Sequence, residues 1–279
     1  MYLSLCLGLD ITSPIPYVRD VRPVKGVTEK QWLGSTTPIT EFIIAIYLER
    51  TSMKIKILIF FLITSISALA QTKTETPQKL VVVNSYNQYL ASIKINPKNE
   101  LVEIKKAIPN IKLDIRYATK NNFMQQVMYK QARAFALKPV VESLRKVQQE
   151  LNKKGLGLKI FDGYRPYKIT VEFYKKASDK NFVANPAKGS KHNRGCAVDL
   201  TVINLKTGKE VEMATPYDSF SKAAAAKYEP VSDMVRKNRE YLISVMKKNK
   251  LNVLDNEWWH YDFQGWENYD IMDIPFEKL

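Results

Sequence analysis

The stretch SKHNRGCAVDLTVI, residues 190–203, carries the clearest structural pattern in this chain. Its second part, residues 196–203, is rich in β-forming residues and predicts a strand. Because side chains alternate along a strand, the even-numbered residues share one apolar face that we expect to be buried. Asp199 falls on the other face between two small residues, so we expect it to point into an open cleft.

Helical and strand-like patterns flank this strand on both sides. Periodicity and β-forming runs predict helices over 137–151, 167–179 and 232–250 and strands over 157–161 and 258–263. A turn at 206–209 predicts a hairpin that returns through 210–213. Since helices and strands are mixed and the strand connections are short, we expect an α+β fold, one domain with a mainly antiparallel central sheet flanked by helices.

Composition excludes several classes of protein. The 279 residues include 43 Lys and Arg but only 28 Asp and Glu, a formal net charge of +15. A hydrophobic fraction of 45% excludes a disordered chain, and 10 glycines with 13 prolines exclude a collagen-like one. Two cysteines cannot build a disulfide scaffold or a Cys-rich zinc module. The lysines are spread along the chain with no tight basic run, so we predict a lysine-rich surface and no nucleic-acid partner.

The amino-terminal part of the chain is predicted to be a leader. Residues 53–70 combine a basic start, an apolar stretch and an Ala-x-Ala cleavage pattern, the order typical of a signal peptide. We expect translation to begin at Met53, with residues 1–52 a mis-called extension. Residues 71–100 form a polar lead-in, and residues 101–279 form the folded domain. The mature protein is then exported, to the periplasm or the extracellular space, with no stable membrane anchor.

Cleavage after Ala70 changes the charge and the cysteine content. Residues 1–70 carry seven basic and five acidic side chains, so the mature chain keeps a net charge of +13. Cys6 is lost with the leader, which leaves Cys196 as a single thiol and excludes an intramolecular disulfide even in an oxidising compartment. The oligomeric state stays open.

The chain has two histidines, and both lie in dense polar clusters. Gly195 permits a turn that could bring His192 back beside Asp199, and His260, on a separate predicted strand, could complete the site. Two His and one Asp with a fourth position open form the ligand set of a catalytic zinc site, although other divalent metals also accept these ligands. A lone His is usually structural, but two His that both lie near acidic residues favour a metal site.

Two further residues offer catalytic groups. Glu257 lies three residues before His260, so a bend at the start of that strand could place its carboxylate at the metal site as a general base. Arg165 lies in the run DGYRP, residues 162–166, before a proline that favours extended backbone. Its guanidinium would then project from a strand end toward a ligand oxygen or carboxylate; a surface arginine in a turn is the alternative.

Four motifs together resemble one known family. They are the S-x-H-x-x-G-x-A-x-D run at 190–199, the E-x-W-H run at 257–260, the G-Y-R-P run at 163–166 and the segment DIRYATKNNF at 114–123. In this order they are similar to the zinc D-alanyl-D-alanine dipeptidases, within the wider group of D-alanyl-D-alanine carboxypeptidases and hedgehog-like zinc domains. The resemblance covers residues 101–279 and implies the fold of that group and a catalytic domain.

The resemblance implies a role for individual residues. One Zn²⁺ per chain would be bound by His192, Asp199 and His260. Glu257 would be the catalytic base and acid, and Arg165 would stabilise the developing oxyanion. The residues that fall where the family contacts the termini of a small D-amino-acid dipeptide are Ser190, Tyr117 and Asp218.

One segment departs from the family pattern. Residues 213–218 read MATPYD where the family often has the glycine-rich M-G-T-G-F-D. Asp218 is kept, but Ala214 and Pro216 replace glycines, so we expect a stiffer loop and an altered substrate preference.

The resemblance implies hydrolysis of D-Ala-D-Ala to D-alanine, in peptidoglycan turnover or D-Ala scavenging, with glycopeptide resistance as another role of such enzymes. The export signal favours turnover of cell-wall products over removal of a cytoplasmic precursor. Two alternatives stay open at this point: a D,D-carboxypeptidase that acts on peptidoglycan stem peptides, and a non-catalytic hedgehog-like zinc module. Pure binding would need neither Glu257 nor Arg165, which argues against the second.

Overall fold

The computed structural model describes residues 80–279; the predicted extension and signal peptide lie outside the described residues. Within this part of the chain, no helix is long and apolar enough to cross a membrane. The helices are α1 (Tyr86–Ile95), α2 (Ile104–Ala107), α3 (Lys138–Asn152), α4 (Tyr167–Lys176) and α5 (Asp233–Lys248). The strands are β1 (Val82–Val83), β2 (Leu101–Glu103), β3 (Lys112–Leu113), β4 (Phe135–Leu137), β5 (Leu156–Asp162), β6 (Ala197–Asn204), β7 (Leu251–Leu254), β8 (Glu257–Phe263) and β9 (Ile271–Met272).

A five-stranded sheet with the order β3-β5-β6-β8-β7 forms the centre of a mixed α/β unit. β3 runs parallel to β5, whereas β5–β6, β6–β8 and β8–β7 are antiparallel pairs. Two small sheets lie outside it, the parallel pair β1–β9 and the antiparallel pair β2–β4. The strand β6, predicted over 196–203, is central, and Asp199 has a paired strand on either side, β5 and β8.

The amphipathic helices α3 and α5 cover one face of this sheet. In α3 the buried apolar positions recur three and four residues apart, which is the stripe expected of a helix that faces a core. Together with the even-numbered residues of β6 they form the main core, whose central members are Val140, Leu144, Val147, Leu158, Ile160, Val198, Leu200, Leu242 and Met246. These three elements lie where the sequence predicts them, to within three residues at each end.

The other face of the sheet is covered as well, which corrects the expectation of an open cleft around Asp199. A smaller apolar cluster lies there, formed by Phe161, Tyr217, Ala224, Trp258 and Trp259. The loop that carries Tyr217 folds over this face, so Asp199 is only 3% exposed and the side chains next to it on the strand are buried. Asp199 therefore lies in the buried wall of a pocket.

The predicted hairpin that returns through 210–213 is shorter than expected. Only one isolated bridge, Ile203 to Glu210, follows the turn. The returning chain shares one edge of β6 with β8, which pairs with Ala197–Asp199, and its last backbone bond to β6 runs from the Val211 N–H to the Val202 carbonyl at 2.9 Å. The chain leaves the sheet after this bridge and forms the loop that carries Tyr217 and Asp218.

The lead-in predicted over 71–100 contains ordered elements in its described part. β1 pairs with β9, and α1 places the buried ring of Tyr89 against the core. The Tyr89 hydroxyl accepts a hydrogen bond from the backbone N–H of Leu101 at 2.8 Å. These contacts attach the segment to the domain.

Candidate metal centre and active site

A left-handed glycine brings the first histidine back to the sheet. His192 begins a short 3₁₀ turn that ends at Gly195, whose φ is +65°. A Cβ atom at Gly195 would lie 2.7 Å from Leu101 Cδ2 and 3.2 Å from the backbone of Leu137, so both the backbone angle and the space favour glycine. After this turn the His192 ring lies beside β6, with Nε2 3.4 Å from Asp199 Oδ1.

Strand pairing supplies the second histidine. Asp199 of β6 and His260 of β8 are direct partners in the antiparallel ladder, so their side chains project from the same face. His260 Nδ1 lies 3.0 Å from Asp199 Oδ1 and 3.2 Å from His192 Nε2. The three predicted metal ligands therefore meet in one buried cluster.

The spacing of these three atoms fits a metal ion. Ligands about 2.0–2.1 Å from a tetrahedral Zn²⁺ lie about 3.3 Å from one another. The observed separations between His192 Nε2, His260 Nδ1 and Asp199 Oδ1 are 3.0 to 3.4 Å. The donor set, two imidazole nitrogens and one carboxylate oxygen with a fourth side facing the pocket, is suited to a catalytic zinc ion.

Hydrogen bonds at the rear of each imidazole fix its orientation. His192 Nδ1 donates to the carbonyl oxygen of Gly163 at 2.7 Å, and His260 Nε2 donates to Asp262 Oδ1 at 2.9 Å. Lys191 Nζ in turn donates to Asp262 Oδ2 at 2.6 Å. Each bond places a proton on the nitrogen that faces away from the cluster, so the facing nitrogen keeps its lone pair for a metal.

Electrostatics in the metal-free cluster favour a bound cation. The imidazoles of His192 and His260 hold the pKa of Asp199 below its usual range in spite of burial. Burial opposes the charge on His260, but its hydrogen bonds to the carboxylates of Asp199 and Asp262 outweigh burial and raise the pKa of His260 to about 10. A metal ion has to displace that proton, so its affinity increases with pH.

Tyr217 completes the surroundings of Asp199, and sequence reasoning did not single it out. Its hydroxyl donates to Asp199 Oδ2 at 3.1 Å, while Oδ1 faces the histidines. Its ring stacks on Phe161, with centroids 4.4 Å apart. Burial, together with the charge of Asp199, raises the pKa of Tyr217 well above its usual value, so the hydroxyl keeps its proton. The available signal was a tyrosine beside Asp218 where the family pattern has phenylalanine.

Glu257 lies at the edge of the metal cluster, as predicted. The β7–β8 register shifts between Val253 and Leu254, so that Leu254 pairs with Glu257 at the start of β8, where a bend is expected from the sequence. As a result Glu257 Oε2 lies 3.9 Å from His260 Nδ1, on the same side as the proposed ligand atoms. Burial raises the pKa of Glu257 above its usual value, which suits a general base that works near neutral pH.

Arg165 is held in a buried clamp. Asp162 Oδ2 accepts from Arg165 Nε at 3.0 Å and from Nη2 at 2.8 Å, and the guanidinium lies over the rings of Phe173 and Tyr117. Tyr129 donates to the same carboxylate at 2.9 Å. Nη2 lies 4.0 Å from Asp199 Oδ2, so the guanidinium borders the metal cluster.

The Arg165 motif and the His192 motif are joined through their backbones. Arg165 N–H donates to the His192 carbonyl at 3.0 Å, and the Asn193 side chain donates to the Arg165 carbonyl at 2.8 Å. A Cβ at Gly163 would lie 2.5 Å from the Phe135 carbonyl oxygen, so glycine is required for the strand end to pass this close. The surface-arginine alternative is excluded, since Arg165 is 8% exposed.

The three predicted substrate contacts lie around the same space. Tyr117 donates from its hydroxyl to both carboxylate oxygens of Asp218, each at 3.1 Å. Burial and the neighbouring Asp199 raise the pKa of Asp218 to about 7, and its φ of +61° turns the chain sharply there. Ser190 also lines the pocket, and its hydroxyl accepts from the His192 N–H at 3.2 Å.

One pocket of about 410 Å³ unites the site. All eight residues predicted from the sequence line it: Tyr117, Arg165, Ser190, His192, Asp199, Asp218, Glu257 and His260. The supporting residues Asp162, Gly163, Tyr217 and Asp262 lie behind them. The arrangement is suited to hydrolysis, since a metal position, a carboxylate base and a cationic oxygen-binding group converge.

Known proteins resemble this chain over the same region. The family model for D-Ala-D-Ala dipeptidases matches residues 97–276. A D-alanyl-D-alanine dipeptidase of Escherichia coli (strain K12) is 27% identical over 177 residues, which cover 63% of this chain and 91% of the relative. A D-alanyl-D-alanine dipeptidase of Enterococcus faecium is 29% identical over 174 residues, 55% of this chain and 86% of the relative.

A third relative, the D-alanyl-D-alanine dipeptidase of Streptomyces coelicolor (strain ATCC BAA-471 / A3(2) / M145), is 27% identical over 192 residues, with 60% of this chain and 94% of the relative covered. The family match spans more than half of the chain and includes every predicted site residue. The chain therefore belongs to the D-Ala-D-Ala dipeptidase family of metallopeptidases.

Proposed function

We propose that this chain hydrolyses the dipeptide D-Ala-D-Ala to D-alanine and that it uses one Zn²⁺ per chain. The observation that carries the proposal is the approach of three buried ligand atoms to within 3.0–3.4 Å, with the Glu257 carboxylate 3.9 Å from one of them. The relatives named D-alanyl-D-alanine dipeptidase supply the substrate. His192, Asp199 and His260 are the proposed zinc ligands.

The zinc ion, when bound, would polarise the scissile carbonyl and lower the pKa of water to about 7. Glu257 takes a proton from the attacking water and delivers it to the leaving amine. Its raised pKa supports both steps, because a carboxyl group that titrates closer to neutral pH can accept and return a proton. Glu257 is therefore the proposed base and acid.

Arg165 is the proposed oxyanion-stabilising group. Its hydrogen bonds to Asp162 use Nε and Nη2, which leaves Nη1 of this pocket-lining residue for a substrate oxygen. The clamp and the stacked rings fix the guanidinium before substrate arrives. Such preorganisation stabilises developing charge without reorientation during the reaction.

Asp218 supports a free dipeptide as the substrate. A carboxylate on a pocket wall pairs with the ammonium of a dipeptide, whereas a longer peptide would offer an uncharged amide in its place. Tyr117 orients the carboxylate through its two hydrogen bonds. Ser190, whose hydroxyl lies beside the His192 N–H, is the proposed contact for the carboxyl-terminal end.

The biological setting is proposed from the amino-terminal pattern. A signal peptide over 53–70 would export the mature chain to the periplasm or the extracellular space. There D-Ala-D-Ala arises from cell-wall breakdown, so peptidoglycan turnover or D-Ala scavenging is the proposed role. Fractionation of the native organism, with the mature amino terminus sequenced, tests this location.

The activity is tested by comparing two substrates on zinc-loaded protein. We expect rapid hydrolysis of D-Ala-D-Ala, slow hydrolysis of a stem pentapeptide that ends in D-Ala-D-Ala, and loss of both with a chelator. Preferred hydrolysis of the pentapeptide would replace the proposal with a D,D-carboxypeptidase. No hydrolysis of either peptide by zinc-loaded protein would favour a binding module.

A further inference from the structure

The pocket is larger than its proposed substrate requires. D-Ala-D-Ala has eleven non-hydrogen atoms, whereas pockets of about 300–1,000 Å³ hold drug-sized ligands. The pocket volume of about 410 Å³ falls in that range. The residues around the metal cluster account for one part of the lining, and a group of phenylalanines lines another.

Four phenylalanine rings form a continuous wall of this pocket. The rings of Phe123 and Phe173 lie 5.0 Å apart, those of Phe123 and Phe220 lie 5.1 Å apart, and those of Phe182 and Phe220 stack at 4.9 Å. We call this group, Phe123, Phe173, Phe182 and Phe220, the aromatic wall. It runs from Phe173, on the buried face of α4, to Phe182, which is half-buried in the turn Lys180–Phe182.

Two members of the aromatic wall do not contribute to the core. Phe182 and Phe220 belong to neither apolar cluster of the described residues, although both line the pocket. They come from two separate segments of the chain, and their half-buried rings meet in the pocket lining. Partly exposed apolar surface that is gathered in this way at the wall of a pocket is typical of a ligand-binding surface.

The aromatic wall adjoins Asp218. Phe220 follows it by two residues, and Tyr117, which donates to Asp218, has its ring 4.7 Å from Phe173 and 6.2 Å from Phe123. The pocket lining also includes the basic residues Lys188, Lys191 and Arg194. A dipeptide would therefore bind with its ammonium toward Asp218 and its carboxylate toward these basic residues.

We propose that the aromatic wall is a subsite for a bulky apolar side chain on the amino-terminal residue of the dipeptide. This inference rests on the proposed function, because it uses Asp218 as the partner of the substrate ammonium. The ammonium and the amino-terminal side chain share one Cα atom, so a group held at Asp218 directs that side chain to the adjacent rings. The substrate class then widens from D-Ala-D-Ala to dipeptides such as D-Leu-D-Ala and D-Phe-D-Ala.

The test compares kcat/KM for D-Ala-D-Ala, D-Leu-D-Ala and the reversed dipeptide D-Ala-D-Leu on zinc-loaded protein. Each methylene in an apolar pocket is worth roughly tenfold or more in discrimination. We expect D-Leu-D-Ala to be cleaved at least as efficiently as D-Ala-D-Ala and better than D-Ala-D-Leu. If D-Ala-D-Ala is cleaved but kcat/KM for D-Leu-D-Ala is at least about 100-fold lower, the subsite is overturned and the proposed function stands.

Two variants on separate loops test the residues themselves. Phe182→Ala and Phe220→Ala should each lower the ratio of kcat/KM for D-Leu-D-Ala over D-Ala-D-Ala by about tenfold. Tyr86→Ala, an aromatic residue on α1 that is 37% exposed and lies outside the pocket lining, is the matched control and should leave the ratio unchanged. An unchanged ratio in both phenylalanine variants would contradict the proposal.

Calorimetry separates failure of the subsite from failure of the proposed function. If no dipeptide is hydrolysed, the proposed function fails. Binding to zinc-loaded Glu257→Gln then decides the subsite on its own: tighter binding of D-Leu-D-Ala than of D-Ala-D-Ala supports it, and equal or weaker binding overturns it.

Discussion

Two parts of this pocket are built differently. We call the predicted metal ligands and Glu257 the metal half, and Asp218 with the aromatic wall the substrate half. Asp199 and His260 lie on paired central strands, and both histidines have buried hydrogen-bond partners behind them. Asp218, Phe220 and Phe182 lie on loops and contact the rest of the molecule mainly through side chains. The groups whose positions must be precise for catalysis thus lie on the sheet. The groups that would discriminate among substrates lie on loops, which can vary without disturbing the sheet.

Substitution of the base should have the largest effect and should leave the metal half intact. Glu257→Gln removes the proton acceptor but keeps the shape of the side chain, so we expect kcat for D-Ala-D-Ala to fall about 10³-fold. The content of bound zinc, measured by atomic absorption, should stay at that of the unsubstituted protein. A variant that keeps its full rate would contradict the assignment of Glu257, and loss of zinc would show instead a role in holding the metal.

Substitution of Asp218, in the substrate half, should weaken dipeptide binding and increase the free energy of unfolding of the metal-free protein. Asp218→Asn keeps the hydrogen bond from Tyr117 and tolerates the positive φ, but it loses the charge opposite the substrate ammonium. We expect KM for D-Ala-D-Ala to increase about 10- to 100-fold, with a smaller change in kcat. A 10- to 100-fold fall in kcat with KM unchanged would show instead that Asp218 acts in the chemical step and not in substrate binding.

The same variant should change the pH dependence of stability in a definite direction. Folding raises the pKa of Asp218 from its usual value of 3.8 to about 7. A carboxyl group with a raised pKa contributes stability below its unfolded pKa and loses that contribution as pH increases through its folded pKa. Metal-free Asp218→Asn should therefore have a larger free energy of unfolding than the unsubstituted metal-free protein. The difference should widen between pH 4 and pH 7 and then level off.

That difference should be on the order of 2 kcal/mol, because the carboxylate borders the open pocket and solvent screens part of the cost. Thermal unfolding of both proteins from pH 4 to pH 9 measures it. Asn256→Asp, a change at another position in the pocket lining, is a control that adds a carboxyl group instead. A difference that shrinks as pH increases would contradict the account of Asp218.

The smallest expected effect comes from a residue that connects the two halves. Tyr217→Phe removes only the hydroxyl that donates to Asp199 Oδ2, while the ring keeps its stack on Phe161. Partners of metal ligands typically contribute about 10- to 100-fold to metal affinity, and we expect about tenfold weaker zinc binding in competition with a chelator. Activity at saturating zinc should fall less than the affinity does. Unchanged affinity would show that the hydroxyl does not position Asp199.

The sequence predicts the metal half more fully than the substrate half, and the reason is physical. The period of a strand places Asp199, a glycine turn returns His192, and an irregularity near the start of β8 places Glu257. These are local rules that act over a few residues. The partners Gly163 and Tyr217 come from other elements, 29 and 18 residues away from the side chains they bind, and no local pattern specifies them.

The errors in the sequence-based expectations have the same origin. The hairpin through 210–213 is shorter than expected, and it shares one edge of β6 with β8, a strand from elsewhere in the chain that pairs with Ala197–Asp199. The cleft expected at Asp199 is covered by the loop that contains Tyr217, which the strand pattern does not reveal. The aromatic wall joins rings from residues 123 to 220, so it appears only once the loops are placed.

The central claim is that the cluster of His192, Asp199 and His260 binds a zinc ion on which dipeptide hydrolysis depends. The most direct measurement is a titration of Zn²⁺ into metal-free protein, with D-alanine release from D-Ala-D-Ala followed at each step. We predict that the rate increases linearly and levels off at one zinc per chain, and that His260→Ala shows no such increase. Full activity in the metal-free protein, or an unchanged titration in His260→Ala, would contradict the claim.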